Sequence, residues 1–285
     1  MMIRDDLLSL VPHILRARGW RLYTAKGCLV DLWQYGGRAI LGHNPPLLLR
    51  VIKNNAERGI YAPYPHFAEE RFYKALAVLF PGRIFRIYEN NASLFKAISA
   101  AGLGEVQRLF AHGGGTDAGA MLWRPFLNKE SQDALLSVPV LVPVLPCPFP
   151  GAPAVLAVDI QKSPDVPEKL PPSDILSPVT LAAATRCIYD MLAVPSRGTP
   201  RFLKTDKALK NNKTWKRQGI YLIYKDMINE QDQIAEESLN NYTTLFTCFL
   251  KAGFLLPPSP EEPAVLPGEL SPGEEAKLTG LFGSV

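Results

Sequence analysis

The distribution of proline most constrains what the middle of this chain can fold into. Residues 138–178 contain 11 prolines in 41 positions, and proline interrupts both helices and the interior of sheets. The longest apolar stretch, Val138 to Phe149, contains four of them, which excludes a membrane helix. A polyproline-like linker is one interpretation. Because Ala154 to Val158 is apolar and free of proline, we instead interpret the region as the remnant of a sheet, with loops around one strand.

Composition places the chain among ordinary globular proteins. Its 285 residues, 47% of them hydrophobic, suffice for one large or two modest cores. The net charge of +4 does not by itself imply a nucleic-acid partner. The four cysteines lie far apart without the spacing of metal ligands, so we expect no disulfide framework and no metal site. Asp5 and Asp6 interrupt the N-terminal apolar run, and we expect a soluble cytoplasmic protein with no membrane segment.

Hydrophobic periodicity and turn residues predict the order of the secondary structure. Helices are predicted over residues 3–18, 46–58, 67–80, 92–101, 177–193, 201–216, 239–252 and 271–281. Strands are predicted over residues 83–88, 107–110, 154–158 and 219–224. The alternation over residues 21–33 predicts a hairpin that turns at Ala25-Lys26-Gly27. For the last helix, Ser271 is the predicted N-cap, followed by proline and acidic residues.

A run of basic residues between 204 and 217 surrounds Trp215. Nucleic-acid binding is one interpretation, since cations neutralise phosphates and an aromatic ring stacks on bases. The other is a solvated helix face, because charges spaced by three residues drift around a helix and form no narrow stripe. We favour the solvated face and expect no nucleic-acid partner.

Two blocks near the chain ends carry a family resemblance. The front block is GWRLYTAKGCLVDL at residues 19–32, followed by Leu41-Gly42-His43-Asn44-Pro45; the rear block is FTCFLKAGFLLPPS at 246–259. Both resemble class-III pyridoxal-phosphate aminotransferases, most closely the glutamate-1-semialdehyde aminomutase branch. The resemblance implies an α/β fold: a reduced type-I pyridoxal-phosphate-transferase large domain with a mixed sheet, plus a small α+β domain formed by the N- and C-terminal segments. The implied domains are residues 1–60, 61–180 and 181–285.

The resemblance also indicates which positions correspond to the family's cofactor site. Asn91, Ala92 and Ser93 match the phosphate-binding turn, whose backbone N–H groups neutralise the phosphate at a helix start. The alternative is that Asn91 only caps that helix. His112 and Gly113 match the next landmark, with Ala111 where the family has the ring that covers the pyridine. Asp159 allows two registers, as the aspartate under the pyridine nitrogen or as part of an earlier strand followed by a deletion.

The family's cofactor lysine has no counterpart in this sequence. Only Lys162 and Lys169 lie between the predicted strand at 154–158 and Ser177. Both are in proline-rich surroundings, without the glycine-rich sequence that follows the lysine in the family. A nucleophilic lysine needs a desolvated pocket that lowers its pKa. We therefore expect no catalytic residue and no bound cofactor.

These observations lead to a functional hypothesis with one main alternative. The main hypothesis is a catalytically degenerate aminotransferase-fold protein, a non-catalytic homodimer that acts in binding or as a scaffold, with a small anionic ligand near Ser93 and His112. The parent family's active site lies between subunits, and pairing also covers the edges of a reduced sheet. The alternative is an active pyridoxal-phosphate aminotransferase or aminomutase, acting on an amino or semialdehyde substrate with an atypical lysine.

Overall fold

The computed structural model describes residues 5–108, 119–194, 203–210, 212, 214–225 and 236–282. Its helices are α1 Asp5–Ser9, α2 Gln34–Gly37, α3 Pro46–Ala56, α4 Ala68–Leu79, α5 Asn91–Ala100, α6 Lys129–Leu136, α7 Val166–Lys169, α8 Pro178–Leu192, α9 Leu203–Leu209, α10 Glu236–Lys251 and α11 Pro272–Leu281. Its strands are β1 Ile14–Arg18, β2 Arg21–Thr24, β3 Gly27–Asp31, β4 Arg83–Tyr88, β5 Val106–Arg108, β6 Ala120–Trp123, β7 Val140–Pro143, β8 Ala154–Asp159, β9 Trp215–Gln218, β10 Tyr221–Tyr224, β11 Phe254–Leu255 and β12 Ala264–Val265.

Contacts along the chain form two compact units. The terminal unit consists of Met1–Asn44 and Gly198–Val285, and the central unit is Pro45–Arg197. The terminal unit contains a four-stranded sheet in the order β1-β2-β3-β11 and a three-stranded sheet in the order β12-β10-β9. The central unit contains a five-stranded sheet in the order β4-β8-β7-β6-β5. The fold is therefore α/β, as predicted; the domain boundaries at residues 60 and 180 stay a prediction.

The core of the terminal unit is built on helix α10. Its buried residues Tyr242, Leu245, Phe246 and Phe249 follow the i, i+3, i+4, i+7 spacing that places them on one face of a helix. Trp215 belongs to the same core: it is 2% exposed and its ring contacts those of Tyr224, Phe249 and Phe282. The aromatic residue within the basic run is therefore not available at the surface for base stacking.

Helix α11 begins with the predicted serine cap. The Ser271 hydroxyl accepts the Glu274 N–H, and the Glu274 carboxylate accepts the Ser271 N–H, which completes a capping box with Pro272 in the first turn. Arg21 of β2 donates to both Glu274 oxygens, at 2.9 and 2.7 Å. One carboxylate thus joins a helix start to the predicted hairpin, which is confirmed by the antiparallel β2–β3 pairing.

The sheet of the central unit has one strand that runs against its neighbours. β8 pairs antiparallel with both β4 and β7, whereas β7, β6 and β5 are parallel. Residues Ala154–Val158 of β8 are all buried, which agrees with the strand predicted from their uninterrupted apolar sequence. Helix α5 packs on β4 and β8, and α8 packs on α3 and α4. These helices and strands confirm the corresponding sequence predictions between residues 46 and 193. For the strand predicted over 107–110, residues 109 and 110 lie outside the described residues.

Three sequence predictions of secondary structure are wrong. The segment predicted as one helix over residues 3–18 forms the short helix α1, which ends at Ser9, and then strand β1. The reason is that Pro12 cannot continue a helix and the residues after it pair with β2. The segment predicted as one helix over residues 201–216 contains helix α9, which ends at Leu209, and strand β9, which pairs with β10. Finally, β8 is not alone in its region: Val140–Pro143 forms β7, whose proline occupies the last position.

The shared carboxylate of Glu274 makes stability depend on pH. Hydrogen bonding from Arg21, with further bonds from Ser271, lowers the pKa of Glu274 from 4.5 to about 2. A carboxylate whose pKa is lowered by folding stabilises the fold at pH values above its pKa in the unfolded chain. This contribution is lost as the pH falls toward its pKa in the folded protein.

We expect Glu274→Gln to lower the free energy of unfolding at pH 7 by about 1–2 kcal/mol. Urea unfolding should show this deficit shrinking between about pH 5 and pH 3, where the native carboxylate's advantage is being lost. Glu105→Gln, at an exposed position of the central unit, is the control, and an equal deficit at pH 3 and pH 7 would contradict the assignment.

Candidate functional site

The carboxyl ends of four strands of the central sheet lie at the same edge. Because β4 and β7 both run against β8, β4 is parallel to β7, β6 and β5. Their last residues are Tyr88, Pro143, Trp123 and Arg108. In open α/β sheets, ligands bind in the crevice outside the carboxyl ends of the strands. The described segments that follow Tyr88, Trp123 and Pro143 are therefore candidates for a ligand-binding site.

Helix α5 begins at this edge, directly after β4. Asn90 has extended backbone geometry and is the N-cap: its Oδ1 accepts the Ser93 N–H at 2.9 Å. The residue predicted to cap the helix, Asn91, is the first residue of the helix instead. The Ala92 N–H and the Ser93 hydroxyl have no hydrogen-bond partner among the described residues. A helix start with spare donors and a positive dipole end is suited to an anionic group.

The turn between β4 and α5 is held by the proline-rich segment. The Asp174 carboxylate accepts the Glu89 N–H at 2.8 Å, and the Asp174 N–H donates to the Ile87 carbonyl at 2.8 Å. The Ser173 hydroxyl accepts the Ile87 N–H at 3.0 Å and lies 3.0 Å from the Tyr73 hydroxyl. The proline-rich segment thus holds this end of β4 in place through hydrogen bonds. The same contacts place the Asp174 carboxylate beside the backbone of Glu89, so the site is not uniformly positive.

Asp159 lies at the other edge of the sheet. It is the last residue of β8 and pairs with Arg83, the first residue of β4. Tyr88, which precedes α5, pairs with Ala154 at the opposite end of β8, and five strand residues span about 17 Å. The Asp159 carboxylate accepts the Gln161 N–H. The structure therefore does not bring Asp159 together with Asn91, Ala92 and Ser93. His112 and Gly113 lie outside the described residues.

None of the lysines of the central unit is in a desolvated setting. The six lysines between residues 45 and 197 all belong to described segments, and all six are exposed. The Lys162 Nζ atom is 2.6 Å from the Ser137 carbonyl and 3.7 Å from the Asp159 carboxylate, at the edge opposite α5. Lys169 ends the short helix α7. These side chains are surrounded by water and lack the desolvated pocket that a nucleophilic lysine needs.

Sequence analysis missed a strained turn at the site's edge. After β6, Arg124 is only 6% exposed, and Phe126 has a φ of 60°, in the left-handed region that costs a residue with a side chain about 1 kcal/mol or more. Gln132 holds this turn, because its amide donates to the Arg124 carbonyl and its Oε1 accepts the Trp123 indole N–H, both at 3.0 Å. In the sequence, only the Arg124-Pro125 pair, which follows the apolar segment of β6, could have indicated this turn.

A second strained segment lies in the terminal unit. The residues from Gln34 to Gly37 all have positive φ, from 50° to 85°. Asp31, which is 1% exposed, accepts the N–H groups of Trp33 and Gln34, and its other oxygen is 2.7 Å from His43 Nε2. The Gln34 side chain donates to the Val265 carbonyl, while its Oε1 is buried without a partner. The buried carboxylate of Asp31 thus fixes a turn that sequence analysis did not predict.

The comparisons with protein sequences do not reach a characterised relative. No family model matches the chain. It is 27% identical over 197 residues to an uncharacterized protein of Treponema pallidum, covering 68% of this chain and 58% of that protein. It is 35% identical over 75 residues to an uncharacterized protein of Borreliella burgdorferi, covering 26% of this chain and 28% of that one. The chain therefore spans less than two thirds of these relatives.

Solved structures show the fold. An omega-transaminase from Sphaerobacter thermophilus matches with a TM-score of 0.65 at 12% identity, over 96% of this chain and 90% of that one. Ornithine delta-aminotransferase from Plasmodium falciparum matches with a TM-score of 0.63 at 10% identity, over 98% and 95%. A serine palmitoyltransferase from S. paucimobilis, solved with a PLP–myriocin adduct, matches with a TM-score of 0.63 at 11% identity, over 98% and 95%. The chain has the fold of pyridoxal-phosphate aminotransferases.

This finding corrects one expectation from the sequence. We expected no cofactor, because the sequence offered no counterpart of the lysine that the resemblance implies. That expectation is wrong: structures with the same fold, including a transaminase solved with PLP bound, carry pyridoxal phosphate. A covalent lysine is one anchor of such a cofactor, whereas a phosphate group can also be held by backbone N–H groups at a helix start.

Within the ranges given above, no group of three or more His, Cys, Asp and Glu side chains is arranged to hold a metal ion. In the same ranges, no helix combines the length and the apolar character needed to cross a membrane.

The cap of α5 can be tested without any ligand. We expect Asn90→Ala to lower the free energy of unfolding by about 1 kcal/mol, because the Ser93 N–H loses its acceptor. Asn90→Asp should retain most of the stability, since a carboxylate also caps a helix and favours its positive end. Urea unfolding of the two variants beside the wild type measures the difference. Equal losses in both variants would show that Asn90 does not act as the cap.

Proposed function

We propose that this protein binds pyridoxal phosphate at the start of helix α5 without a covalent bond, and that it does not catalyse transamination. The observation that carries the proposal is the helix start itself: two spare donors, on Ala92 and Ser93, at the carboxyl edge of an aminotransferase-type sheet. The fold neighbours that bind pyridoxal phosphate support the choice of ligand. The proposal refines the hypothesis of a catalytically degenerate protein.

The residues present fit the phosphate end of the cofactor. The Ala92 N–H and the Ser93 hydroxyl would donate to phosphate oxygens, and the dipole of the ten-residue helix α5 favours their negative charge. Asn90 supports this arrangement by occupying the Ser93 N–H, which orders the first turn. Alanine at position 92 is accommodated because the residue has helical geometry here, so no glycine is needed for a positive φ.

The residues do not fit the other anchors of a catalytic cofactor. When bound, pyridoxal phosphate supplies an electron sink that depends on a protonated ring nitrogen. Asp159, the candidate partner of that nitrogen, lies at the opposite edge of the sheet. The exposed lysines of the central unit lack the desolvation that makes an amine nucleophilic. These two placements support binding without lysine chemistry.

The assembly remains part of the proposal. Large apolar side chains are exposed along the first residues of the central unit: Leu47, Leu49, Tyr61, Tyr64 and Phe67. Exposed large apolar side chains are frequent at protein interfaces. These side chains support the proposed homodimer, in which the pyridoxal-phosphate fold acts in binding or as a scaffold. The predicted cytoplasmic location and the absence of a nucleic-acid partner stay predictions.

A second candidate function is an active pyridoxal-phosphate aminotransferase or aminomutase with an atypical lysine. The observation in its favour is that transaminase and aminotransferase structures cover 96% and 98% of this chain with the same fold. It requires a covalent bond between the cofactor aldehyde and a lysine side chain. The two functions therefore differ in one measurable property, the dependence of binding on the aldehyde.

The first test compares pyridoxal phosphate with pyridoxine phosphate, which carries the same phosphate but has an alcohol in place of the aldehyde. We expect both compounds to bind with similar affinity in equilibrium dialysis, because the phosphate and the ring make the contacts. Pyridoxal phosphate that binds far more tightly, together with a borohydride-reduced adduct mapped to one lysine such as Lys162 or Lys169, would establish the second candidate instead.

The second test locates the site. We expect Ser93→Ala to weaken pyridoxine phosphate binding roughly tenfold, since a hydrogen bond to a charged group is lost. Ser99→Ala, an exposed serine near the other end of α5, is the matched control and should not change the affinity. Asp159→Asn should also leave it unchanged, because Asp159 lies at the far edge. A loss caused by Asp159→Asn but not by Ser93→Ala would contradict the proposed site.

A further inference from the structure

A second concave site lies within the terminal unit, remote in sequence from the residues assigned above. It is a pocket of about 540 Å³ between the β2–β3 hairpin, the junction of α10 with β11, and helix α11. Pockets of roughly 300–1,000 Å³ are the usual size for small-molecule ligands. All of its lining residues belong to described segments of one unit. We call it the lysine-rimmed pocket.

The wall of this pocket is partly apolar. Pro12, Leu250 and Ala252 line it and are half-buried, whereas the side chains of Leu29, Val30 and Phe254 are packed in the core of the unit. The wall is rigid, because the Val30 N–H donates to the Gly253 carbonyl at 2.8 Å where β3 and β11 pair. A fixed apolar wall favours a ligand with a hydrocarbon part.

The rim of the pocket carries unbalanced positive charge. Lys26, Lys251 and Lys277 line it, come from three different elements, and are exposed. Their ammonium groups form no ion pair with any described residue. Three like charges around one concavity repel each other, and an anion placed among them relieves that repulsion.

The acidic residue of the lining does not balance these lysines. Glu274 lines the pocket, but both of its oxygens are hydrogen-bonded to Arg21, and one also accepts the Ser271 N–H. Its charge is therefore matched by a guanidinium group that is not part of the lining. Cys28 adds no negative charge either, because partial desolvation raises the pKa of its thiol and the neutral form predominates at pH 7.

We propose that the lysine-rimmed pocket binds a small amphipathic carboxylate, with its hydrocarbon part on Pro12, Leu250 and Ala252 and its anionic group among Lys26, Lys251 and Lys277. This proposal is independent of the pyridoxal-phosphate site, because no residue is shared. It would extend the protein's function to the recognition of a second ligand. The apolar wall selects against inorganic anions, and the rim selects against neutral compounds of the same shape.

Calorimetric titration of the full chain with octanoate tests the proposal at low ionic strength. We expect one octanoate site, and at least roughly tenfold weaker binding of octanamide, which has the same chain without the charge. The double substitution Lys251→Gln and Lys277→Gln should weaken octanoate roughly tenfold. Lys207→Gln, an exposed lysine of the same unit outside the pocket, is the matched control. The Ser93→Ala variant should bind octanoate as the wild type does.

Alkylation of Cys28 provides a second measurement that needs no variant. Cys28 is exposed at the pocket, whereas Cys147 and Cys187 are buried. Octanoate should protect Cys28 from iodoacetamide, as followed by mass spectrometry of its peptide, and octanamide at the same concentration should protect it much less. Absence of octanoate binding, equal binding of octanamide, or an unchanged affinity in the double lysine variant would each overturn the proposal. An octanoate affinity lost in Ser93→Ala would assign the binding to the other site and overturn it as well.

Discussion

The direction of strand β8 determines which residues of the central unit can act together. Because β8 runs against both β4 and β7, the carboxyl end of β4 lies at the same edge as those of β5, β6 and β7. Helix α5 starts at that edge, while the last residue of β8, Asp159, is carried to the other one. Reversing this single strand would bring Asp159 and Ser93 together. The separation of helix α5 from that acidic residue is therefore a consequence of topology.

Much of the secondary structure could be predicted because local rules and tertiary packing agree. The hairpin at residues 21–31 has a short turn between alternating segments, and α8 has proline in its first turn and a continuous apolar face. Prediction was wrong where packing decides. The periodicity of Ile14–Arg18 predicts a helix, but the segment pairs with β2 as a strand. Trp215 packs in an aromatic core, and the segment around it forms a strand instead of the predicted helix.

The site was less predictable than the fold. The resemblance located the start of α5 to within one residue: Asn91 was the predicted cap, and Asn90 is the observed one. Only the backbone geometry distinguishes the residue before a helix from the first residue in it. The strained residues Gln34 and Phe126 are not glycines. The Gly36-Gly37 and Arg124-Pro125 pairs beside them indicate turns, but they do not indicate strain at these two residues. The lysine-rimmed pocket joins residues from both ends of the chain, and spacing along the sequence does not reveal such a cluster.

The sequence offered no recognisable counterpart of the lysine, and this led to the wrong expectation about the cofactor, because covalent attachment and phosphate binding are separate interactions. A helix start with free donors can bind a phosphate whether or not a nucleophile is nearby. The described residues include such a helix start at α5, and the described lysines of the central unit are all exposed. A fold shared with transaminases does not by itself decide the function.

The most direct measurement of this account is a crystal structure of the protein grown with pyridoxal phosphate. The account predicts density for the phosphate at the N-terminus of α5, within hydrogen-bond distance of the Ala92 N–H and the Ser93 hydroxyl, with no continuous density to a lysine. A cofactor bound elsewhere, or one joined to a lysine side chain, would contradict it.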